Sequence, residues 1–356
     1  MSNITACIIC KNEEQHIGAC IRALKKYDIP IVITDTGSTD RTIAIVRPLL
    51  AERDKLCHFT WINDFSAARN FCSRQADTDW IWLVDADELV QSCDTTALFS
   101  FIADPKNAGN IGVVTQKSRY QIQGETSYVT TKEAHIYHRG YYHYEGSIHE
   151  QLAAYDAVNT ASSYVELPIF IDHLGYETPE LSAQKSRRNI ALLLPAYEKQ
   201  KDPYLAYQLG NAYYSLEDYE TAAQYFSEGL SFDLDPALQY VQRMVELYGY
   251  SLLELKAYQE ALSFENIYDA FQSSAEFVFL MGLIYMNNAL FDRAIAEFEK
   301  VTSYPSCSVE GTNSYRAFYN KGVIWECTGH IADAIVSYQK CGDYKPAKER
   351  LSTLTK

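Results

Sequence analysis

Apolar residues concentrate in short runs in the first third of the chain, and between the runs they recur at helical spacing. The runs at residues 4–10, 31–34, 57–61 and 80–84 are rich in β-branched and aromatic side chains. Such runs predict strands buried on both faces of a mostly parallel sheet. After the first run, Ile17, Cys20, Ile21 and Leu24 form the stripe of a helix lying on that sheet. Ser66 is the expected N-cap of a later helix, with Arg69 in its first turn. Strand and helix alternate through residue 84, which is a doubly wound start.

After residue 110 the pattern changes to shorter strands without intervening helices, at residues 112–116, 134–137 and 165–171, and Pro168 makes the last an edge or irregular strand. From about residue 180 only helical spacing remains. Residues 180–197 read as a connecting helix that ends at or soon after Pro195. A glycine followed by an alanine twelve residues later then occurs four times: Gly210 and Ala222, Gly249 and Ala261, Gly282 and Ala294, Gly322 and Ala334. Small residues at fixed offsets let paired helices approach, and large ones such as Phe226 and Phe298 fill the grooves, so this half resembles tetratricopeptide repeats. The second repeat departs from the others, with Glu265 where they carry an aromatic.

The polar residues that matter cluster where the strands end. The fourth run leads into Asp85-Ala86-Asp87-Glu88. At the C-terminal edge of an α/β sheet, carboxylates either close a polar turn or build a metal or phosphate-ester site. The first run leads into Lys11-Asn12-Glu13, and the second into Asp35-Thr36-Gly37-Ser38-Thr39-Asp40, a glycine turn whose hydroxyls can cap the next helix. The third is followed by Phe65-Ser66-Ala67-Ala68-Arg69-Asn70.

These four motifs, in this order, make residues 1 to about 176 resemble the family 2 glycosyltransferases of GT-A fold. The chain looks most like the branch that carries helical repeats after the transferase domain, including enzymes that glycosylate peptides such as glycocins. The resemblance implies a GT-A α/β domain over residues 1–178, a connecting helix over 179–200 and an all-α tetratricopeptide-like domain over 201–356. It implies a nucleotide-sugar donor, UDP-linked, and a divalent metal, manganese or magnesium, held by Asp87 and Asp85 with His173 as third ligand. Glu88 is expected to be a helix N-terminal charge. Cys10, Lys11, Asn12, Glu13, Asp35, Thr36, Gly37, Asp85 and Ala86 are expected to line the donor site. Thr36 stands where the family commonly has a second aspartate. Arg69 is expected to face the base or the diphosphate, or else to form a surface ion pair. Inverting transfer needs a base for the acceptor's proton. Glu150 fits by position, with Glu133, Glu145 and Asp172 as competitors, and His149 is an alternative metal ligand or phosphate contact.

Net charge of −15 argues against a nucleic-acid partner. Nine cysteines, odd in number and irregularly spaced, suit a reducing compartment, and with no membrane-length apolar run or leader the chain is expected to be soluble and cytoplasmic. Cys7 and Cys10 lie three apart in a strand and should face opposite ways. Many of the 28 tyrosines fall in the repeats, where they suit peptide recruitment or dimerisation. The expected function is therefore metal-dependent inverting transfer of a hexose to a peptide or protein. The rivals are transfer to a glycan or lipopolysaccharide core, and a repeat scaffold without activity.

Overall fold

A computed structural model describes residues 3–122, 125–155, 163–174 and 179–355. The chain divides into two units, Met1–Tyr176 and Glu177–Lys356. In the first, β1 (Ile4–Cys10), α1 (Ile17–Lys25), β2 (Ile31–Asp35), α2 (Thr42–Val46), β3 (Lys55–His58), α3 (Phe65–Gln75) and β4 (Trp80–Leu83) alternate as the hydrophobic pattern predicts. They are followed by β5 (Glu88–Cys93), α4 (Thr95–Ala103), β6 (Ile111–Ile122), β7 (Glu125–His138), β8 (Tyr142–Glu145), β9 (Gln151–Ala154) and β10 (Tyr164–His173).

Eight strands form one sheet in the order β3-β2-β1-β4-β7-β6-β10-β5. Neighbours from β3 to β4 are parallel, as are β6 and β10, while β7 and β5 run against their partners. Strands β4 and β10 therefore end at the edge where β5 begins, and His173 pairs with Glu88 there. Alternation along β4 feeds two cores. Trp80 and Trp82 pack with Ile4, Ile8 and Leu24 on one face, and Ile81 and Leu83 pack with Val32 and Cys72 on the other. Cys7 and Cys10 part between the same two cores.

Several elements differ from the sequence expectation. The third strand is Lys55–His58 rather than 57–61, because β2 ends at Asp35, which pairs with His58, and only the bond from Phe59 N to the Asp35 carbonyl at 2.9 Å continues beyond it. Asp64, not Ser66, caps α3, accepting from Ala67 N at 2.8 Å. The strands after residue 110 are long: β6 and β7 run 12 and 14 residues as a hairpin whose far part is polar and so leaves no apolar signal. Pro168 does make β10 irregular, with a register shift between Glu166 and Phe170, but β10 is interior and β5 is the edge. The carbonyl of Pro168 accepts from Asp94 N instead.

The second unit, in its described residues, folds into helices and the turns between them. It comprises α5 (Pro179–Lys199), α6 (Pro203–Ser215), α7 (Tyr219–Leu230), α8 (Gln239–Glu254), α9 (Tyr258–Ala261), α10 (Tyr268–Phe271), α11 (Ala275–Asn287), α12 (Phe291–Val301), α13 (Tyr315–Cys327), α14 (Ile331–Gln339) and α15 (Lys345–Leu354). Helix α5 packs on the first repeat, with Tyr197 buried and its hydroxyl donating to Glu228. The four repeat alanines are fully buried. The glycines sit against rings: a Cβ on Gly210, Gly282 or Gly322 would lie 2.5 to 2.6 Å from Phe226, Phe298 or Tyr338. The second repeat differs because its aromatic comes one residue early. Phe264 is buried in place of Glu265, and the second helix breaks into α9, a 3-10 segment and α10. Among the described residues no helix is long and apolar enough to cross a membrane.

Candidate active site

The ends of β1 and β2 are tied together by the loops that follow them. Asn12 N donates to Ser38 Oγ at 3.0 Å, Thr39 N to Asn12 Oδ1 at 2.7 Å and Glu13 N to Thr42 Oγ1 at 2.7 Å. The turn hydroxyls thus hold the first loop, and it is Asp40 that accepts from Thr42 N at the start of α2. Gly37 makes the turn possible with φ of +109°. Cys10 and Thr36 are buried, and the Thr36 hydroxyl donates to the Cys10 carbonyl at 3.1 Å. Lys11, Asn12 and Glu13 are the more exposed groups of this edge, beside Asp35, whose Oδ2 lies 3.5 Å from His58 Nδ1. The structure therefore brings the expected donor-edge residues together, with Cys10 and Thr36 turned to internal bonding.

After β4 the chain makes a tight turn, Glu88 N donating to the Asp85 carbonyl at 3.0 Å. Its two aspartates separate. Asp85 Oδ1 lies 3.0 Å from Arg69 Nη1, and Asp87 Oδ2 lies 3.2 Å from His173 Nε2. The bond from Asp87 pushes His173 up to about 9, against the opposing effect of burial. Glu88 is not at a helix N-terminus. It opens β5, it is buried, and its Oε2 accepts from Asp85 N at 2.9 Å. Burial, with the charge of Asp85 beside it, raises its carboxyl well above the ordinary range. His135 backs the same turn: Nδ1 lies 2.6 Å from the Leu83 carbonyl, which places its proton there, and burial lowers its pKa.

The motif at the start of α3 fastens the β8–β9 hairpin. Phe65 N donates to the Ser147 carbonyl at 2.8 Å and Ser66 Oγ to the Gly146 carbonyl. Asn70 makes two bonds to the Tyr144 backbone, Nδ2 to O at 2.8 Å and Oδ1 from N at 2.9 Å. Gly146, with φ of +95°, turns the hairpin, and Glu150 comes back to α3. There Arg69 Nε donates to Glu150 Oε1 while the guanidinium stands 5.6 Å from the Tyr144 ring. Burial works against the charge on Arg69, but Asp85 and Glu150 more than offset it and raise its pKa. Nη1 is near Asp85 yet out of line for a hydrogen bond, so this buried N–H has no acceptor among the described residues.

A cavity of about 270 Å³ opens beside this bridge, lined by Arg69, Asp85, Glu150, Glu133, Gln116 and His135 among others. Two of the competing carboxylates fall elsewhere: Glu145 accepts from or pairs with His143, and Asp172 accepts from Gln91 Nε2 at 2.6 Å. Glu133 and Glu150 remain at the cavity. His135, Gln116 and Tyr144 belong to no motif in the sequence, and only the strand-like alternation around them carries any signal.

Asp87 and His173 converge as a carboxylate and an imidazole, a donor pair suited to manganese and less to magnesium. Among the described residues no three His, Cys, Asp or Glu side chains converge as a ready cage.

Residues 5–160 match the profile described as Glycosyl transferase family 2, and residues 203–236 and 275–305 match a tetratricopeptide repeat profile. The chain is 26% identical over 289 residues to a TPR repeat-containing protein of Synechococcus elongatus, covering 79% of this chain and 69% of that one. It is also 26% identical over 240 residues to the SPbeta prophage-derived glycosyltransferase SunS of Bacillus subtilis, covering 64% of this chain and 53% of SunS. It is 34% identical over 87 residues to the lipopolysaccharide core biosynthesis glycosyltransferase LpsC of Rhizobium meliloti, 24% of this chain and 32% of LpsC. The match thus spans about half of SunS and a third of LpsC. Among solved structures, MamA from Desulfovibrio magneticus RS-1 aligns at a TM-score of 0.37 and 20% identity, over 49% of this chain and 95% of that one. The N-terminal unit is a family 2 glycosyltransferase domain of GT-A type, and tetratricopeptide repeats follow it in the helical unit.

Proposed function

We propose that the protein is a metal-dependent inverting glycosyltransferase that moves a hexose from a UDP-sugar to a peptide or protein held by the repeats. The observation that carries this reading is the divergence of the two aspartates at the end of β4, Asp87 toward His173 and Asp85 toward Arg69. Asp87 and His173 would hold manganese or magnesium, which when bound neutralises charge on the leaving diphosphate as a Lewis acid, while Asp85, expected as a further ligand, is turned instead to Arg69. Arg69 adds fixed positive charge at the same edge, in a site dry enough to strengthen it. Lys11, Asn12, Glu13, Asp35 and Gly37 form the rim for the nucleoside, with Cys10, Thr36 and Ala86 as its buried support.

Glu150 is assigned as the base. Arg69 binds one of its oxygens and fixes its orientation, and the other oxygen has no hydrogen bond among the described residues. Its place on a hairpin fastened to α3 brings it to the cavity next to Asp85. In the repeats, Tyr204, Tyr207 and Tyr240 cluster with ring centroids 5.3 to 6.0 Å apart, which supports an aromatic surface for a peptide. Nine unpaired cysteines support a reducing, cytoplasmic setting.

The test is nucleotide release by the full chain from UDP-sugars with manganese, with and without candidate peptides. Asp87→Ala should abolish release. Glu150→Gln should lower transfer about 100-fold or more while donor still binds. A Glu150→Gln protein with full transfer rate removes the base from the scheme, and an active Asp87→Ala removes the metal site.

A further inference from the structure

We propose that the cavity beside Arg69 takes the sugar ring of the donor and selects neutral hexoses against hexuronates, with Glu133 and Gln116 reading the hydroxyls. This rests on the transferase reading above and specifies its sugar. The volume of about 270 Å³ falls below the roughly 300–1,000 Å³ of pockets for drug-sized ligands, room for one ring and not for an oligosaccharide. The lining is amphipathic in the way a pyranose is. Leu83, Leu152 and Tyr144 offer an apolar surface for the C–H face, and carboxylates and amides offer acceptors and donors for the hydroxyl rim.

Charge decides the class. Asp85, Glu133 and Glu150 line the cavity, and Arg69 is its one guanidinium or ammonium among the described lining residues. That cation already faces Asp85 and Glu150. His135 is buried and held toward its neutral form, so it adds no compensating charge. A divalent cation held at Asp87 and His173 would be committed to the diphosphate, so the carboxylate of a hexuronate would meet excess negative charge and a guanidinium already paired, a repulsive element that rejects one ligand without weakening another.

Glu133 is the group placed to read the sugar. It lines the cavity, it is half-buried, and it carries neither hydrogen bond nor ion pair among the described residues. It pairs across the strands with Val114, two residues before Gln116, so the carboxylate and the amide share one face of the β6–β7 ladder. A carboxylate beside an amide can accept from two hydroxyls and donate to a third oxygen. Glu150, by contrast, is engaged by Arg69.

The experiment is calorimetric titration of the full chain, in manganese, with UDP, UDP-glucose, UDP-galactose and UDP-glucuronate. UDP is the reference against which each sugar's effect is taken. At least one of the two hexose nucleotides should bind 10-fold or more tighter than UDP-glucuronate. Glu133→Gln should narrow that ratio several-fold by removing one charge, and Gln116→Glu should widen it. Equal binding of hexose and hexuronate, or a ratio that neither variant moves, overturns the sugar rule and leaves the transferase reading standing. Binding of none of the four nucleotides overturns both.

Discussion

Arg69 donates from Nε to the carboxylate of Glu150, 81 positions later in the chain, and so joins α3 to the hairpin of β8 and β9. The same guanidinium faces Asp85. Removing one partner from a buried charge pair costs about 3–5 kcal/mol, because the remaining charges are left without compensation. Arg69→Met should therefore lose stability of that order in chemical denaturation. Arg69→Lys keeps the charge but offers a compact ammonium in place of a planar fork, and cannot span both carboxylates. It should stay folded and lose about 100-fold in transfer through misplacement of Glu150. A lysine variant with unchanged rate would show that the bridge does not position the base.

Asn70 gives another handle on the same hairpin. Its amide satisfies both backbone groups of Tyr144, which is buried. Asn70→Ala leaves an N–H and a C=O without partners at about 1–3 kcal/mol each. The expected result is a loss of about 2 kcal/mol or more in urea unfolding. Because the donor edge at β1 and β2 is untouched, the transfer rate should fall further than affinity for UDP. An equal fall in both would mean that the whole unit, and not the hairpin, has loosened.

Much of this arrangement is legible in the chain. The strand ends carrying Lys11, Asp35 and Asp85 stand out because a buried run that stops at polar residues is a local signal. The motif at 65–70 is visible as a motif, but its work is not. Ser66, Arg69 and Asn70 act on residues 144 to 150, and no local pattern records a contact across some 80 positions. Glu133, His135 and Gln116 are hidden for a related reason. They reach the cavity through antiparallel pairing in a long polar hairpin, where alternation exists without a hydrophobic face to mark it. Glu88 reads as a helix cap because it is a carboxylate after a turn, and only the edge strand that follows buries it against Asp85. The repeats are legible in their glycine and alanine spacing, and the one-residue shift of the aromatic to Phe264 blurs that pattern around Gly249 and Ala261.

Glu246 should give the repeat unit a pH dependence of its own. It is buried on α8, 2.9 Å from Arg243 Nη1, and burial pushes its carboxyl up to about 7 from an ordinary 4.5. Below 4.5 both folded and unfolded states hold the proton, and the group contributes nothing. Between 4.5 and 7 the unfolded chain releases it first, so stability falls as pH rises through that window, by a total of about 3 kcal/mol. Above 7 the loss is complete. Glu246→Gln removes this contribution. Its unfolding free energy should exceed that of the parent at pH 8 and approach it at pH 4, measured by urea denaturation at the two values. A parent more stable than the variant at pH 8 would mean that the Arg243 pair outweighs the cost of burial.

Gly282 sits where two effects of opposite sign meet. It lies inside α11, where replacing glycine by alanine gains about 1 kcal/mol of helix propensity. A Cβ there would also stand 2.6 Å from Phe298 Cε1, and Phe298 is fully buried. Overpacking of that kind costs about 1–3 kcal/mol, so the net effect of Gly282→Ala should be a loss. Shortening the partner reverses the balance. In a Phe298→Leu background, itself destabilised by the lost ring, Gly282→Ala should become neutral or stabilising because the propensity gain is no longer opposed. A double-mutant cycle on the full chain, read by thermal or urea unfolding, measures the coupling directly. Additive effects of the two substitutions would show that the glycine is not there to admit the ring, and the spacing that marks the repeats would then need another physical cause.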